Sequence, residues 1–445
     1  MNRELALLWT LVAPGAMAQQ TKLDVKVDHQ LPSLVTMYKE LHAAPELSHH
    51  EEKTSALVAR ELRSLGFEVT EHVGKYADPS LQGYGVVALM KNGAGPTVLV
   101  RADMDALPVE EQTGLPYASH VRAKDDAGTE VPVMHACGHD IHVTSLIGTA
   151  RVLAATKTDW RGTLMLIGQP AEERIDGARA MLADGLYTRF PRPDFAIALH
   201  DSGELEAGKV GYLPGYMLAS ATSVDVTIRG RGGHGAYPHT TKDPVVMAAE
   251  YVLAIQTIVS REDSPLDPAV VTVGSIHGGN KHNIIPDEVH LQISVRAYKE
   301  EVRQRIFASL ERIAKGIALA GGVPEDRAPI VKVSETEVTP ATYNDPAMTA
   351  RVAAAMKSAL GAENVVAVEP VMGSEDFGLL GLEGHQIPTM MFRVGAIDTE
   401  RLAKSKNGGA PLPSLHSSLF WPAPDLTIRT GVRAMSVAVL ELMKK

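Results

Sequence analysis

The densest reactive stretch of the chain is His135-Ala-Cys137-Gly-His139-Asp140-Ile-His142, placed just before a predicted helix. Three imidazoles and the only cysteine of the sequence fall within eight positions. His135, Cys137 and His139 are spaced by two, so an extended backbone would put their side chains on one face. Thiolate and imidazole together suit a divalent metal, and a helix N-terminus beside Cys137 would favour the thiolate. The same residues admit a second chemistry, in which Cys137 is a nucleophile and a nearby histidine its base. That version leaves the other imidazoles idle.

Gln169-Pro-Ala-Glu172-Glu173 follows a predicted buried strand. Two adjacent carboxylates near a core are costly unless something offsets their charge. A binuclear cation site would do so, with one carboxylate binding metal while its neighbour handles a proton. A solvated pair at a helix start is the plainer alternative. Asp103-Met-Asp105 and His200 also stand at predicted strand ends, where open α/β sheets gather their ligands. His416 sits in a loop before the last predicted helix.

These residues must be positioned by the elements between them. Apolar spacing predicts a helix over 29–44, closed by Pro45. Ser48 and Glu51 have the spacing of a capping box opening a second helix that Gly66 ends. Strands are predicted over 67–73, 85–90, 96–101, 162–168 and 195–200, with helices over 141–156 and 177–184. Strands rich in Val, Leu and Ile alternating with helices imply a mixed, largely parallel sheet covered on both faces.

After Gly215 the pattern changes to strand 222–229, helix 243–261, strands 270–275 and 288–298, helix 300–320 and strand 330–337. This β-α-β-β-α-β order is ferredoxin-like. A helix after Asp345 and a strand over 388–394 restore the first style. The expected organisation is an α/β catalytic domain, 19–219 and 337–445, interrupted by an inserted α+β lid and dimerisation domain, 220–336.

Composition sets outer limits. The 445 residues are 45% hydrophobic and 22% charged, ordinary for a globular chain with more than one core. A net charge of −10 without any basic block argues against a nucleic-acid partner. A single cysteine excludes an intrachain disulfide. Residues 1–18 read as a signal peptide: Arg3, an apolar run from Leu5 to Ala13, Pro14-Gly15, then Ala16-Met17-Ala18 as the cleavage site. The expected location is periplasmic or secreted, and cytoplasmic without that leader. No later segment approaches 18 uninterrupted apolar residues, so no membrane association of the mature chain is expected.

Taken in order, several segments resemble the M20 metallopeptidase family, within it the branch of hippurate hydrolases and plant auxin-conjugate hydrolases. They are Arg101-Ala-Asp-Met-Asp-Ala-Leu-Pro108, His135-Ala-Cys-Gly-His-Asp140, Gln169-Pro-Ala-Glu-Glu173, Arg231-Gly-Gly-His234 with Pro238, Asn283-Ile-Ile-Pro-Asp287, Gly373-Ser-Glu-Asp-Phe377 and Leu415-His-Ser417. The resemblance runs from about residue 30 to the C-terminus.

It implies that Cys137, His139, Glu173, His200 and His416 ligate two divalent ions per subunit, with Cys137 bridging. Zinc or manganese is favoured, with cobalt and nickel as alternatives. Glu172 would be the general base and Asp105 a group orienting a ligand. His234 would stabilise the oxyanion, from the folded-over inserted domain or across a homodimer. Asn283 and Arg296 would contact the substrate. The implied activity is hydrolysis of N-acyl amino acids by a metal-activated water. A dipeptidase or carboxypeptidase using the same centre is the alternative, and a non-catalytic binding protein fits poorly with both glutamates present.

Overall fold

A computed structural model describes residues 14–444, with side chains from Lys22 onward except that of Glu383. Residues 1–13 of the expected leader lie outside the described residues. The first helix, Pro14–Ala43, starts well before the predicted position and runs through Pro32.

An eight-stranded sheet forms the larger unit. Its order is Glu68–Val73, Gly85–Asn92, Gly162–Gln169, Thr97–Asp103, Phe195–Glu206, Thr389–Ile397, Val210–Tyr212 and Val365–Ala367. The four central strands run parallel. The two at one edge, and the contact to Val210–Tyr212, are antiparallel.

Alternation along these strands sorts the side chains by face. Val98, Val100, Leu164, Leu166, Ile197, Leu199, Met390 and Phe392 enter one core with the first helix and helices His139–Ala154, Pro346–Leu360 and Pro424–Leu442. Leu99, Met165, Ile167, Ala196, Ala198 and Met391 enter a second core on the other face, beneath helix Gly177–Ala183. Arg101, Gln169, His200 and Arg393 continue that second face, so the sheet aims its polar residues away from its main helical layer.

The inserted domain is a four-stranded antiparallel sheet ordered Ala269–His277, Glu288–Ala297, Ser220–Arg229, Ile330–Thr339. With helices Pro244–Thr257 and Glu300–Ala320 this is the ferredoxin-like order. Strand Glu288–Ala297 alternates exposed with buried side chains. Its inward residues Leu291, Ile293 and Val295 pack on Tyr251, Ile255, Ile306 and Leu310 of the helices.

Two local expectations fail. Helix Glu52–Ser64 has no side-chain cap. Ser48 donates instead to Asp105 Oδ2 at 2.6 Å, and the Glu51 carboxylate accepts from Ala171 N at 2.7 Å. Strand Phe195–Glu206 continues past His200 because Thr389–Ile397 pairs with it as far as Glu206.

Candidate metal centre and its cleft

The His135–His142 segment is not extended. Cys137 lies in a turn, Gly138 is left-handed at φ 75°, and His139 opens the helix. Only glycine fits at 138, because a Cβ there would lie 2.3 Å from Asp201 Oδ2. The turn parts His135 from the other two. His135 is buried with both ring nitrogens unpartnered, and burial pushes its pKa down to about 4.

Cys137 and His139 instead meet residues from elsewhere in the sheet. Cys137 Sγ lies 3.6 Å from His200 Nε2 and 3.3 Å from His416 Nε2. His416 Nε2 is 3.5 Å from Glu173 Oε1, and His139 Nε2 is 3.9 Å from both Glu173 Oε1 and Glu172 Oε2. Ligand atoms of Cys137, His139 and His200 lie within 4.8 Å of one another, as do those of Cys137, Glu173 and His416.

The donor set suits a divalent cation: thiol, imidazole and carboxylate converge, and His139 Nε2 and Glu173 Oε1 are buried without a hydrogen-bond partner. The outer nitrogens of His139 and His200 face acceptors, the arrangement metal-binding imidazoles use. Asp105 Oδ1 sits 3.3 Å from His139 Nδ1, and His200 Nδ1 donates to the Asp201 carbonyl at 2.7 Å. Asp105 Oδ2 also accepts from Glu173 N at 3.0 Å, so one carboxylate aligns two candidate ligands.

Charge in the protein alone is poorly balanced here. Burial, then the carboxylates of Glu173 and Glu172, push the Cys137 thiol well above its usual range. The expected helix-stabilised thiolate is therefore not favoured by the polypeptide itself. Burial, then Glu375, Glu173 and Asp376, push Glu172 well above the ordinary carboxylate range. Burial raises Glu173 to about 7 even though His139 pulls it down.

The Glu172–Glu173 loop carries positive φ at Ala171 (49°) and Ile175 (59°), backbone that favours glycine. Glu51 and Asp105 hold its amides, and Asp376 Oδ2 accepts from Ala178 N at 2.9 Å beyond it.

Beneath lies a fully buried guanidinium. Arg101 donates to Gln169 Oε1 (2.9 Å), Asp103 Oδ2 (2.5 Å), Glu375 Oε1 (2.7 Å) and Asp376 Oδ1 (3.0 Å). Asp103 also contacts His142 Nδ1 at 2.5 Å, and His142 Nε2 accepts from Asp201 N at 2.9 Å. In the sequence reading His142 appears only within the His/Cys stretch, Glu375 and Asp376 only within a matching segment, and Asp201 not at all, and none of the four is given a function. An arginine inside an otherwise Val-, Leu- and Ala-rich strand was the available signal.

The cleft above has a volume of about 640 Å³, within the size range of small-molecule sites. Its lining includes Cys137, Glu172, Glu173, His200 and His416, together with Arg296 of the inserted domain. His234 and Asn283 are not on it. They lie exposed and side by side on the inserted domain, joined by Gly235 N to Asn283 O at 2.9 Å and by the short pairing Gly233–His234 with Ile284–Ile285.

Comparison with known proteins identifies the family. Residues 99–417 match the model of peptidase family M20/M25/M40. The chain is 38% identical to a hippurate hydrolase of Campylobacter jejuni over 341 residues, 76% of this chain and 82% of that one. It is 37% identical to thermostable carboxypeptidase 1 of Saccharolobus solfataricus over 414 residues, 93% of this chain and 96% of that one. The crystal structure of the Bacillus subtilis YXEP protein, described as a dinuclear metal-binding peptidase from the M20 family, superposes with a TM-score of 0.73. It is 28% identical and covers 94% of this chain and 100% of its own.

Proposed function

The chain belongs to peptidase family M20/M25/M40, hydrolases of amide C–N bonds, and from that premise we propose that it hydrolyses N-acyl amino acids with Glu172 as general base. The observation that carries this reading is the convergence of the ligand atoms of Cys137, His139, Glu173, His200 and His416 at one cleft, which all of them but the deeper His139 line together with Glu172.

Those five residues would hold two divalent cations, zinc or manganese before cobalt or nickel. Bound there, the cations would polarise the scissile carbonyl and lower the pKa of the attacking water. Glu172, on the cleft and beside the ligand Glu173, takes the water proton and returns it to the leaving nitrogen. Asp105 keeps His139 and the Glu173 backbone in place during the exchange. Arg296 contacts the substrate from the cleft wall, and Asn283 does so once the inserted domain or a partner subunit brings it to the cleft. His234 donates to the developing oxyanion, which requires the inserted domain to close over the cleft or a partner subunit to supply it. A homodimer through residues 220–336, hinged near Gly215 and Pro340, would serve that end. Cys137 acts as a ligand and forms no acyl-enzyme, so a Cys137→Ser variant should lose metal stoichiometry, read by elemental analysis.

No helix among the described residues is long and apolar enough to cross a membrane. The Ala16-Met17-Ala18 order supports export, and N-terminal sequencing of protein expressed in a secretion-competent host tests it.

The deciding experiment assays metal-reconstituted protein against N-acyl amino acids and dipeptides, before and after chelation. Metal-dependent turnover of N-acyl amino acids is the expected result. Exclusive turnover of dipeptides would favour the peptidase reading, which the likeness to the archaeal carboxypeptidase supports. Activity that survives complete metal removal would overturn both.

A further inference from the structure

Arg393 is a cation that this chemistry does not use. It lies on strand Thr389–Ile397 in parallel register with His200. The two side chains therefore share a sheet face about one strand spacing, roughly 4.8 Å, apart. Met391 precedes Arg393 on the same face, and all three line the cleft. Glu173, His200 and the supports Asp103 and Asp105 come from strands Gly162–Gln169, Thr97–Asp103 and Phe195–Glu206 or the loops directly after them, while Cys137 and His139 stand at the start of helix His139–Ala154 and His416 in the loop before helix Pro424–Leu442. Arg393 is carried by the next strand over. The cleft thus has a metal-ligand side and, one strand beyond, a guanidinium.

The contrast with the other guanidiniums is informative. Arg101 is saturated by four side chains. Arg296, from the inserted domain, donates to the Met372 carbonyl at 2.8 Å. Arg393 is only partly exposed, yet among the described residues its side chain makes no hydrogen bond or ion pair. Burial depresses its pKa, and the carboxylates of Glu204 and Asp201 oppose that from beyond ion-pair distance. Asp201 Oδ1 lies 3.4 Å from His200 Nδ1, and its Oδ2 is buried without a hydrogen-bond partner, so neither oxygen pairs with Arg393. A guanidinium presents five donors in a fork matched to a carboxylate. Leaving that fork unpaired in a partly desolvated cleft is unfavourable unless a ligand completes it.

Resting on the N-acyl amino acid reading above, we propose that Arg393 binds a second anionic group of the substrate. The preferred substrates are then N-acyl amino acids with two carboxylates. One is the α-carboxylate, and the other stands either on the amino-acid side chain or on the acyl chain. Arg296 on one wall and Arg393 on the sheet floor give the two anions separate partners.

The test uses the full-length, metal-reconstituted enzyme and three probes: N-acetyl-leucine, N-acetyl-glutamate and N-succinyl-leucine. In the wild type, kcat/KM for at least one diacid should exceed that for N-acetyl-leucine by roughly 10- to 100-fold, the scale of one charge-assisted pairing. Which diacid is preferred tells whether the second carboxylate belongs to the amino acid or to the acyl group. Arg393→Gln should collapse that ratio to near one at unchanged metal content, and Arg393→Lys should restore part of it. Ratios near one for both diacids in the wild type overturn the proposal without any variant. So does an Arg393→Gln enzyme that keeps the wild-type ratio, or one that loses all three substrates in equal proportion. If Arg393→Gln does not fold, the wild-type ratios and the lysine variant decide. Failure to turn over any of the three probes would strike the N-acyl amino acid reading itself, whereas turnover without preference strikes only the role of Arg393.

Discussion

On the eight-stranded sheet, Arg101, Asp103, Asp105, Gln169 and Asp376 are buried, Arg101 is hydrogen-bonded to Gln169 and Asp376 beneath the site, and Asp105 accepts from the backbone N of the candidate ligand Glu173 before any substrate arrives. In the inserted domain the opposite holds. His234 and Asn283 sit exposed on a turn, and the polar atom nearest to fixing the imidazole is the local amide Ala236 N, 3.0 Å from His234 Nδ1. Both groups are assigned to one reaction, yet one is preorganised and the other must be brought in. Cations need ligands already held in place. Groups that engage the substrate can be delivered by a moving domain, which also lets the cleft fill.

The largest effect expected on the fixed side is that of Glu172→Gln. Turnover should fall by roughly 10²- to 10⁴-fold with metal stoichiometry near the wild-type value. Substantial residual activity would remove Glu172 from proton transfer and blur the contrast between the two regions.

Next comes Arg101→Met, which leaves Asp103, Glu375 and Asp376 buried without their cation. Removing one partner of such a cluster costs about 3–5 kcal/mol. Denaturant unfolding should show that loss. A variant as stable as the wild type would mean that the buried network is not what holds the ligand side together.

On the moving side, His234→Ala should lower turnover by roughly 100-fold while metal content and stability stay as in the wild type. Mixing His234→Ala with Glu172→Gln sharpens the point. If a partner subunit supplies the imidazole, mixed dimers contain one complete site and activity returns. If the same chain supplies it, the mixture stays inactive.

The smallest effect concerns His42, fully buried between Asp140 (2.7 Å) and Glu111 (3.2 Å). Burial lowers its pKa, but the hydrogen bonds to Asp140 and Glu111 outweigh that and raise it to about 9. A raised folded-state pKa stabilises fully below the ordinary imidazole value near 6.5 and is lost as pH rises through 9. The thermal midpoint should therefore decline across that window, and His42→Gln should flatten the decline. An unchanged slope in the variant would assign the pH dependence elsewhere.

The sequence made the sheet, the ferredoxin-like insertion and the clustered Cys, His and Glu residues legible because each is written in local periodicity or adjacency. It misled where a local pattern had a distant use. Ser48 and Glu51 have capping-box spacing, but their side chains answer to Asp105 and to Ala171, 120 residues from Glu51. The spacing of His135, Cys137 and His139 suggested one face, and a left-handed Gly138 undid it. Arg101 was visible, but its partners Glu375 and Asp376 lie more than 270 residues away, beyond the reach of any periodicity.

That separation also constrains how the chain is built. Asp103 is made within two residues of Arg101, but Glu375 and Asp376 leave the ribosome only after the whole inserted domain has been synthesised. Until then the guanidinium strand cannot be sealed under the sheet face without leaving donors unpaired. The inserted domain, whose contacts are confined to a shorter span, can complete its own core first. The half of the protein that begins first therefore finishes last. A nascent chain stalled before residue 375 should carry a folded insertion on a catalytic sheet still open to proteases.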